Sequence, residues 1–185
     1  MGRAEPMTGV RPSRLMRLGI ALIVLVAVCV GLWAVLPSNK PPAEERLLKT
    51  FYSNRPTYEH LRDMLQTDGQ VRAVYTRFGV ETASSGLPHP PSEVHFSSSR
   101  YIEYKVLLDQ VGSPEVFRRG ENNSETCISL WASGFAGDTR HVDLCWLDHV
   151  PANQVARLDD FYKTPKPRHP VFRHIDGNWY LWADW

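Results

Sequence analysis

Apolar positions fall along the chain in three successive patterns. From Leu18 to Leu36 the run LGIALIVLVAVCVGLWAVL contains no charged residue. As a helix it reaches about 28 Å, close to the roughly 30 Å of a bilayer's hydrocarbon core. A globular core helix is rarely apolar on every face, so the run predicts a membrane span. From Ala43 the spacing becomes helical, with Leu47, Phe51, Tyr58, Leu61 and Leu65 near one face. Pro56 interrupts it: either the helix kinks there, or Asn54 ends one helix and caps the next, leaving Pro56 in its tolerated first turn. TDGQ at 67–70 closes this region.

VRAVYTRFGV, residues 71–80, is β-branched and aromatic, and reads as a strand or as a short helix followed by one. The Ser- and Pro-rich residues after it read as loop. Tyr101, Tyr104, Leu108 and Val111 then share one helical face. A serine in front can cap this helix, Gly112 can take the left-handed C′ position, and Pro114 forbids continuation.

Beyond Pro114 the period becomes two. EVFRRG, TCISLWAS, TRHVDLCWL, PVFRHI and NWYLWA read as strands separated by turn residues. A turn centred on Ala136 sets Cys127 opposite Cys145, Ile128 opposite Leu144 and Leu130 opposite Val142. One face then collects Ile128, Leu130, Ala132, Val142, Leu144 and Trp146, and the other Cys127, Ser129, Trp131, His141, Asp143 and Cys145. Asp176-Gly177 is the strongest hairpin signal in the chain. It sets Phe172 against Leu181 and His174 against Trp179, with Arg173, Tyr180 and Trp182 on the opposite face. Both faces carry aromatics; one must be core, and the other is either covered or left as an aromatic surface. Tyr180, Trp182 and Trp185 are the candidate binding residues of that surface.

The expected architecture is α+β: an N-terminal transmembrane helix, then one domain of helices packed on an antiparallel, largely meandering sheet. Residues 1–17 form a basic cytoplasmic segment, 18–36 the transmembrane helix, 37–43 a Pro-rich linker and 44–185 the extracytoplasmic domain. Arg3, Arg11, Arg14 and Arg17 precede the span with only Glu5 opposing them, which sets the N-terminus inside and the domain outside. A cleaved signal peptide would have a shorter apolar stretch and small residues at a cleavage site, and VGLWAVLPS offers no such pattern. PSNKPPAEE favours an extended segment that lifts the domain by only ~20 Å.

Residues 37–185 keep 17 basic and 19 acidic residues, a net charge of −2. No basic stripe remains to neutralise phosphates, which argues against a nucleic-acid partner. Placement outside a membrane makes a disulfide the natural use of Cys127 and Cys145; the alternative is two small half-buried thiols. His141, Asp143 and Cys145 alternate along one strand face, but no C-x-x-C or H-x-x-x-H pair accompanies them, so neither a metal nor a cofactor is expected. G-x-S-x-G, phosphate-cradling and H-E-x-x-H motifs do not occur, so no catalytic residue is assigned.

FYSNRPTYEHLRDML, RYIEYKVLLDQVG and HIDGNWYLWADW together resemble segments of bacterial membrane-anchored and lipoprotein-type envelope proteins of no assigned function. The resemblance implies a bacterial envelope location and a small α+β domain, and supplies no catalytic residue. The function expected is that of a non-enzymatic inner-membrane protein, single-pass, binding an envelope partner or supporting an assembly close to the bilayer. The alternative is a tethered ligand-binding or hydrolytic domain with a pocket between helices and sheet, lined by His141, Asp143 or His174.

Overall fold

A computed structural model describes residues 40–120, 124–134, 139–163 and 169–184. The basic segment 1–17, the apolar run 18–36, linker residues 37–39, the turn at Ala136 and Trp185 lie outside the described residues. Among the described residues no helix is long and apolar enough to cross a membrane. The domain is α+β. Helices α1 (Glu44–Thr67), α2 (Ser98–Val111) and α3 (Leu158–Phe161) accompany seven strands: β1 (Val71–Tyr75), β2 (Gly79–Thr82), β3 (Glu115–Arg119), β4 (Glu125–Ser133), β5 (Arg140–Trp146), β6 (Val171–Asp176) and β7 (Trp179–Asp184). The strands form one antiparallel sheet in the order β2-β1-β3-β4-β5-β7-β6. Only β3-β4-β5 is a simple meander. The two flanking hairpins each join it through one strand, β1 at one end and β7 at the other, with helices in the connections.

The Pro56 alternatives resolve at Asn54. Its φ of −121° and ψ of 17° break the helix, and its side-chain amide donates to the Thr50 carbonyl at 3.0 Å. Asn54 therefore satisfies an acceptor of the first segment, and Pro56 stands in the first turn of the second, where its missing N–H costs little. Ala43 supplies no cap at the start of α1. Asp159 of α3 does so instead, accepting from the Glu44 backbone N–H at 3.0 Å, while the Glu44 carboxylate caps α3 at the Leu158 N–H. The other carboxylate oxygen of Glu44 accepts from Arg173 Nε at 3.0 Å. Two helix ends and the last hairpin are thus tied at one nearly buried glutamate. α2 ends as its sequence predicts, with Ser97 capping the Arg100 N–H and Gly112 at φ 67°.

α1 and α2 cover one face of the sheet. Phe51, Tyr58, Leu61, Leu65, Tyr104 and Leu108 meet Val74, Val116, Ile128, Leu144, Trp179 and Leu181 in the main core. Tyr104 Oη donates to Asp68 Oδ2 at 2.8 Å, which also receives Arg100 Nε at 2.9 Å, so α2 is pinned to the end of α1. Cys127 and Cys145 form a disulfide, and Ile128 faces Leu144.

Two registers differ from expectation, each through a bulge. Between Ser129 and Trp131 the β4–β5 ladder shifts by one, so Trp131, not Leu130, opposes Val142, and Ala132 opposes His141. A bulge sends every later side chain to the other face. Trp131 accordingly packs against the helix-side core instead of sharing a face with His141 and Asp143. In the last hairpin the shift lies between His174 and Asp176. Phe172 pairs with Trp182 and His174 with Tyr180, so Phe172 joins the face of Tyr180 and Trp182, and Arg173 points toward the core side opposite Leu181. Of the two faces left open by the sequence, that of Trp179 and Leu181 is the core one. On the second aromatic face Tyr180 lies buried over the disulfide with Leu147, packed by Phe117, Phe172 and Trp182, while Phe172 and Trp182 stay half-buried.

Candidate functional site

Two rows of paired residues cross the sheet face turned away from α1 and α2. One row runs Glu81, Ala73, Phe117, Cys127, Cys145, Tyr180 and His174. In the next, Tyr75 pairs with Glu115, Ser129 with Asp143, Asp143 with Trp182, and Trp182 with Phe172. Where these rows carry small residues, Ala73 and Ser129, the surface sinks into a cleft of about 330 Å³. Its lining includes Tyr75, Glu81, Glu115, Phe117, Arg119, His141, Asp143 and Trp182. A regular ladder would put Trp131 on this face beside His141. The bulge replaces it there with Ala132, which leaves the cleft open.

Arg119 is held from three sides. Its Nε donates to Glu125 Oε2 at 2.8 Å, its Nη2 lies 3.5 Å from Cys145 Sγ, and its Cζ sits 4.0 Å from the centre of the Trp182 ring. Such cation–π stacking contributes on the order of 1 kcal/mol and fixes the guanidinium plane. Gly120, at φ 80°, makes room for this pair: a Cβ there would stand 3.0 Å from Glu125 Cγ. Arg119 Nη1 is buried and has no acceptor among the described residues.

Asp143 is the most unusual group. It is 2% exposed, and its Oδ1 finds no hydrogen-bond donor among the described residues. Burial pushes its carboxyl up to about 7; the Arg119 charge opposes this, Glu115 adds to it, and a hydrogen bond from Ser129 opposes it. Glu115 is also raised, by burial first and by the Glu81 charge second. Glu81 is better matched, lying 3.5 Å from Arg72 and accepting from Tyr75 Oη at 3.1 Å. Burial raises the Tyr75 hydroxyl well above its ordinary range, so it acts only as a neutral donor.

Of the residues proposed from sequence, His141, Asp143 and Trp182 line the cleft, while Tyr180 is buried beneath its rim. His174 lies apart, exposed, with Nε2 2.9 Å from the Gly177 carbonyl. Asp148 and His149 are exposed and bond each other at 2.8 Å. The pocket expected between helices and sheet is instead on the sheet's other side, because large side chains fill the helix side. No motif singles out Glu115, Arg119, Tyr75 or Glu81. Alternation within EVFRRG does place Glu115, Phe117 and Arg119 on one face, but only the pairing of β3 with β1 and β4 shows what that face meets. Among the described residues no group of three His, Cys, Asp or Glu side chains is arranged to hold a metal. The cleft is therefore a recess whose lining carries one buried carboxylate oxygen, Asp143 Oδ1, and two buried guanidinium nitrogens, Arg118 Nε and Arg119 Nη1, with no hydrogen-bond partner among the described residues, a donor–acceptor set suited to binding. No protein-family model matches the chain, and no curated protein or solved structure matches it.

Proposed function

We propose that residues 44–185 form a non-enzymatic binding domain of the bacterial cell envelope, held close to the inner membrane by a span at 18–36, with a small polar ligand as its partner. The ligand occupies the cleft on the outer sheet face. The observation that carries this reading is Asp143, nearly inaccessible to solvent and lacking a partner for Oδ1 at the wall of an open recess. Buried polar atoms are nearly always satisfied, and an orphan costs about 1–3 kcal/mol. A fold that carries such a cost beside a cleft is suited to a ligand that supplies the missing bond. A small ligand is favoured over a docked protein because the aromatic residues of this face are spent on the disulfide and on Arg119. The volume stands at the lower end of small-molecule pockets, roughly 300–1,000 Å³.

Ala132→Trp tests the site. Ala132 is exposed and opposes His141, so the new ring fills the recess without entering the core. Compounds from an envelope extract that raise the melting temperature of the full-length protein should have no effect on this variant. Equal stabilisation of both proteins would place the ligand elsewhere.

A further inference from the structure

Three arginines, Arg72, Arg118 and Arg119, and three acids, Glu81, Glu115 and Asp143, line the cleft, but they are not matched one to one. Arg119 is answered by Glu125 at 2.8 Å, and Glu81 by Arg72 at 3.5 Å. Asp143 and Glu115 take part in no ion pair among the described residues. Both line the recess, and the face of Trp182 is already taken by Arg119 at 4.0 Å, so its other aromatic walls are Tyr75 and Phe117, the latter backed by the disulfide cluster. An anionic ligand would meet three carboxyl groups there, beside three arginines already engaged: Arg72 with Glu81, Arg119 with Glu125 and Arg118 with the Leu65 carbonyl. A neutral one would leave two desolvated acids without an ion-pair partner, with the Arg119 charge acting on Asp143 from beside it.

We propose that the cleft selects a small organic cation, whose protonated amine bonds Asp143 and Glu115 while its hydrocarbon lies against Tyr75 and Phe117. This assignment rests on the cleft being the binding site. A cation between the two carboxyls supplies the donor that Asp143 Oδ1 lacks and relieves the repulsion between like charges. Ionic hydrogen bonds are also the stronger kind, and a desolvated recess strengthens them further. The groups around Asp143 are Glu115, Arg118 and Arg119 from β3, Ser129 from β4, His141 on its own strand and Trp182 from β7, with Arg72, Tyr75 and Glu81 beyond. Burial holds the Asp143 proton up to about pH 7, so an amine that binds below that pH must expel it.

Calorimetric titration of the full-length protein in dodecyl maltoside micelles, with phenethylamine, 2-phenylethanol and phenylacetate, tests the assignment. The amine should bind about tenfold or more tightly than the alcohol, as expected for one charged hydrogen bond, with phenylacetate weakest. Amine affinity should rise by about tenfold or more between pH 5.5 and 8, with proton release near neutrality. Asp143→Asn and Glu115→Gln should each lose the preference for the amine, while Asp143→Asn melts no lower than the parent protein, which separates lost binding from lost folding. Repeating the titration in phosphatidylethanolamine nanodiscs distinguishes the source: competition there assigns the amine to a lipid headgroup, and unchanged affinity to a free amine. Cation selection is overturned if phenylacetate or the alcohol binds as tightly as the amine in a site that Ala132→Trp blocks, an outcome that leaves the binding reading standing. It is also overturned if none of the three binds. Should no extract compound separate the parent from Ala132→Trp either, the binding reading falls with it.

Discussion

A carboxylic acid buried without an ion-pair partner sets a pH dependence whose sign can be worked out. The Asp143 carboxyl moves from an ordinary 3.8 up to about 7 in the folded protein, chiefly through burial. Between those values the native state binds a proton that the unfolded state has released, so stability falls as pH rises, and the full cost is present above about pH 7. At 1.36 kcal/mol per pH unit that cost is roughly 4 kcal/mol, a large part of the 5–15 kcal/mol typical of a domain. Asp143→Asn removes the ionisation and keeps the shape. Urea midpoints of the parent protein should therefore decline from pH 4 to pH 8 more steeply than those of the variant, and the variant should be the more stable of the two at pH 8. Parallel profiles would show that Asp143 titrates like an exposed aspartate. Stability given up at a recess in this way is characteristic of residues kept for binding.

The last hairpin shows what one bulge does to a secondary-structure element. Regular pairing around Asp176-Gly177 predicts Phe172 beside Trp179 and Leu181; the shift between His174 and Asp176 moves Phe172 to the other face. Trp179 is 2% exposed, in contact range of the Phe51 ring at 5.8 Å, whereas Phe172 is half-buried at the rim of the disulfide cluster. Trp179→Ala should therefore cost about 3–5 kcal/mol by leaving a cavity in the main core. Phe172→Ala should cost clearly less, since its ring keeps part of its surface in water while it packs on the disulfide cluster, Tyr180 and Arg119. Chemical denaturation of the two variants measures the difference. Equal losses would restore the regular register. The bulge in β4 acts with the same logic and the opposite result: it turns a tryptophan inward and opens the cleft.

For the molecule as a whole, the proposed span at 18–36 carries a prediction about which side of a membrane the cleft would face. Four arginines precede the uncharged run and none interrupts it, so under that proposal the positive-inside rule would direct residues 44–185 outward. Alkaline phosphatase fused after Trp185 should be active, and a cytosolic fluorescent reporter at the same position should be dark. The reverse pair of results would put the domain in the cytoplasm. The disulfide is consistent with an oxidising compartment, since such bonds are rare where thiols are kept reduced.

How much of the protein is legible in its sequence depends on the range of the interactions concerned. The α+β class, α2 from its serine cap to Gly112, the partnership of Cys127 with Cys145 and the shared face of Trp179 and Leu181 are all readable, because period, caps and the start of a hairpin are local properties. Only tertiary structure decided the rest. Neither Ser129-Leu130-Trp131 nor His174-Ile175-Asp176 carries a residue that announces a bulge, yet each extra residue reverses the facing of the strand positions beyond it. Strand adjacency is not local either. β1 lies far along the chain from β5, but β3 and β4 bring Tyr75 and Glu115 to the same recess as Asp143 and Trp182. An aspartate's burial depends on what its neighbouring strands place around it, so a residue that alternation assigns to a solvated strand face became the most deeply buried carboxyl of the cleft.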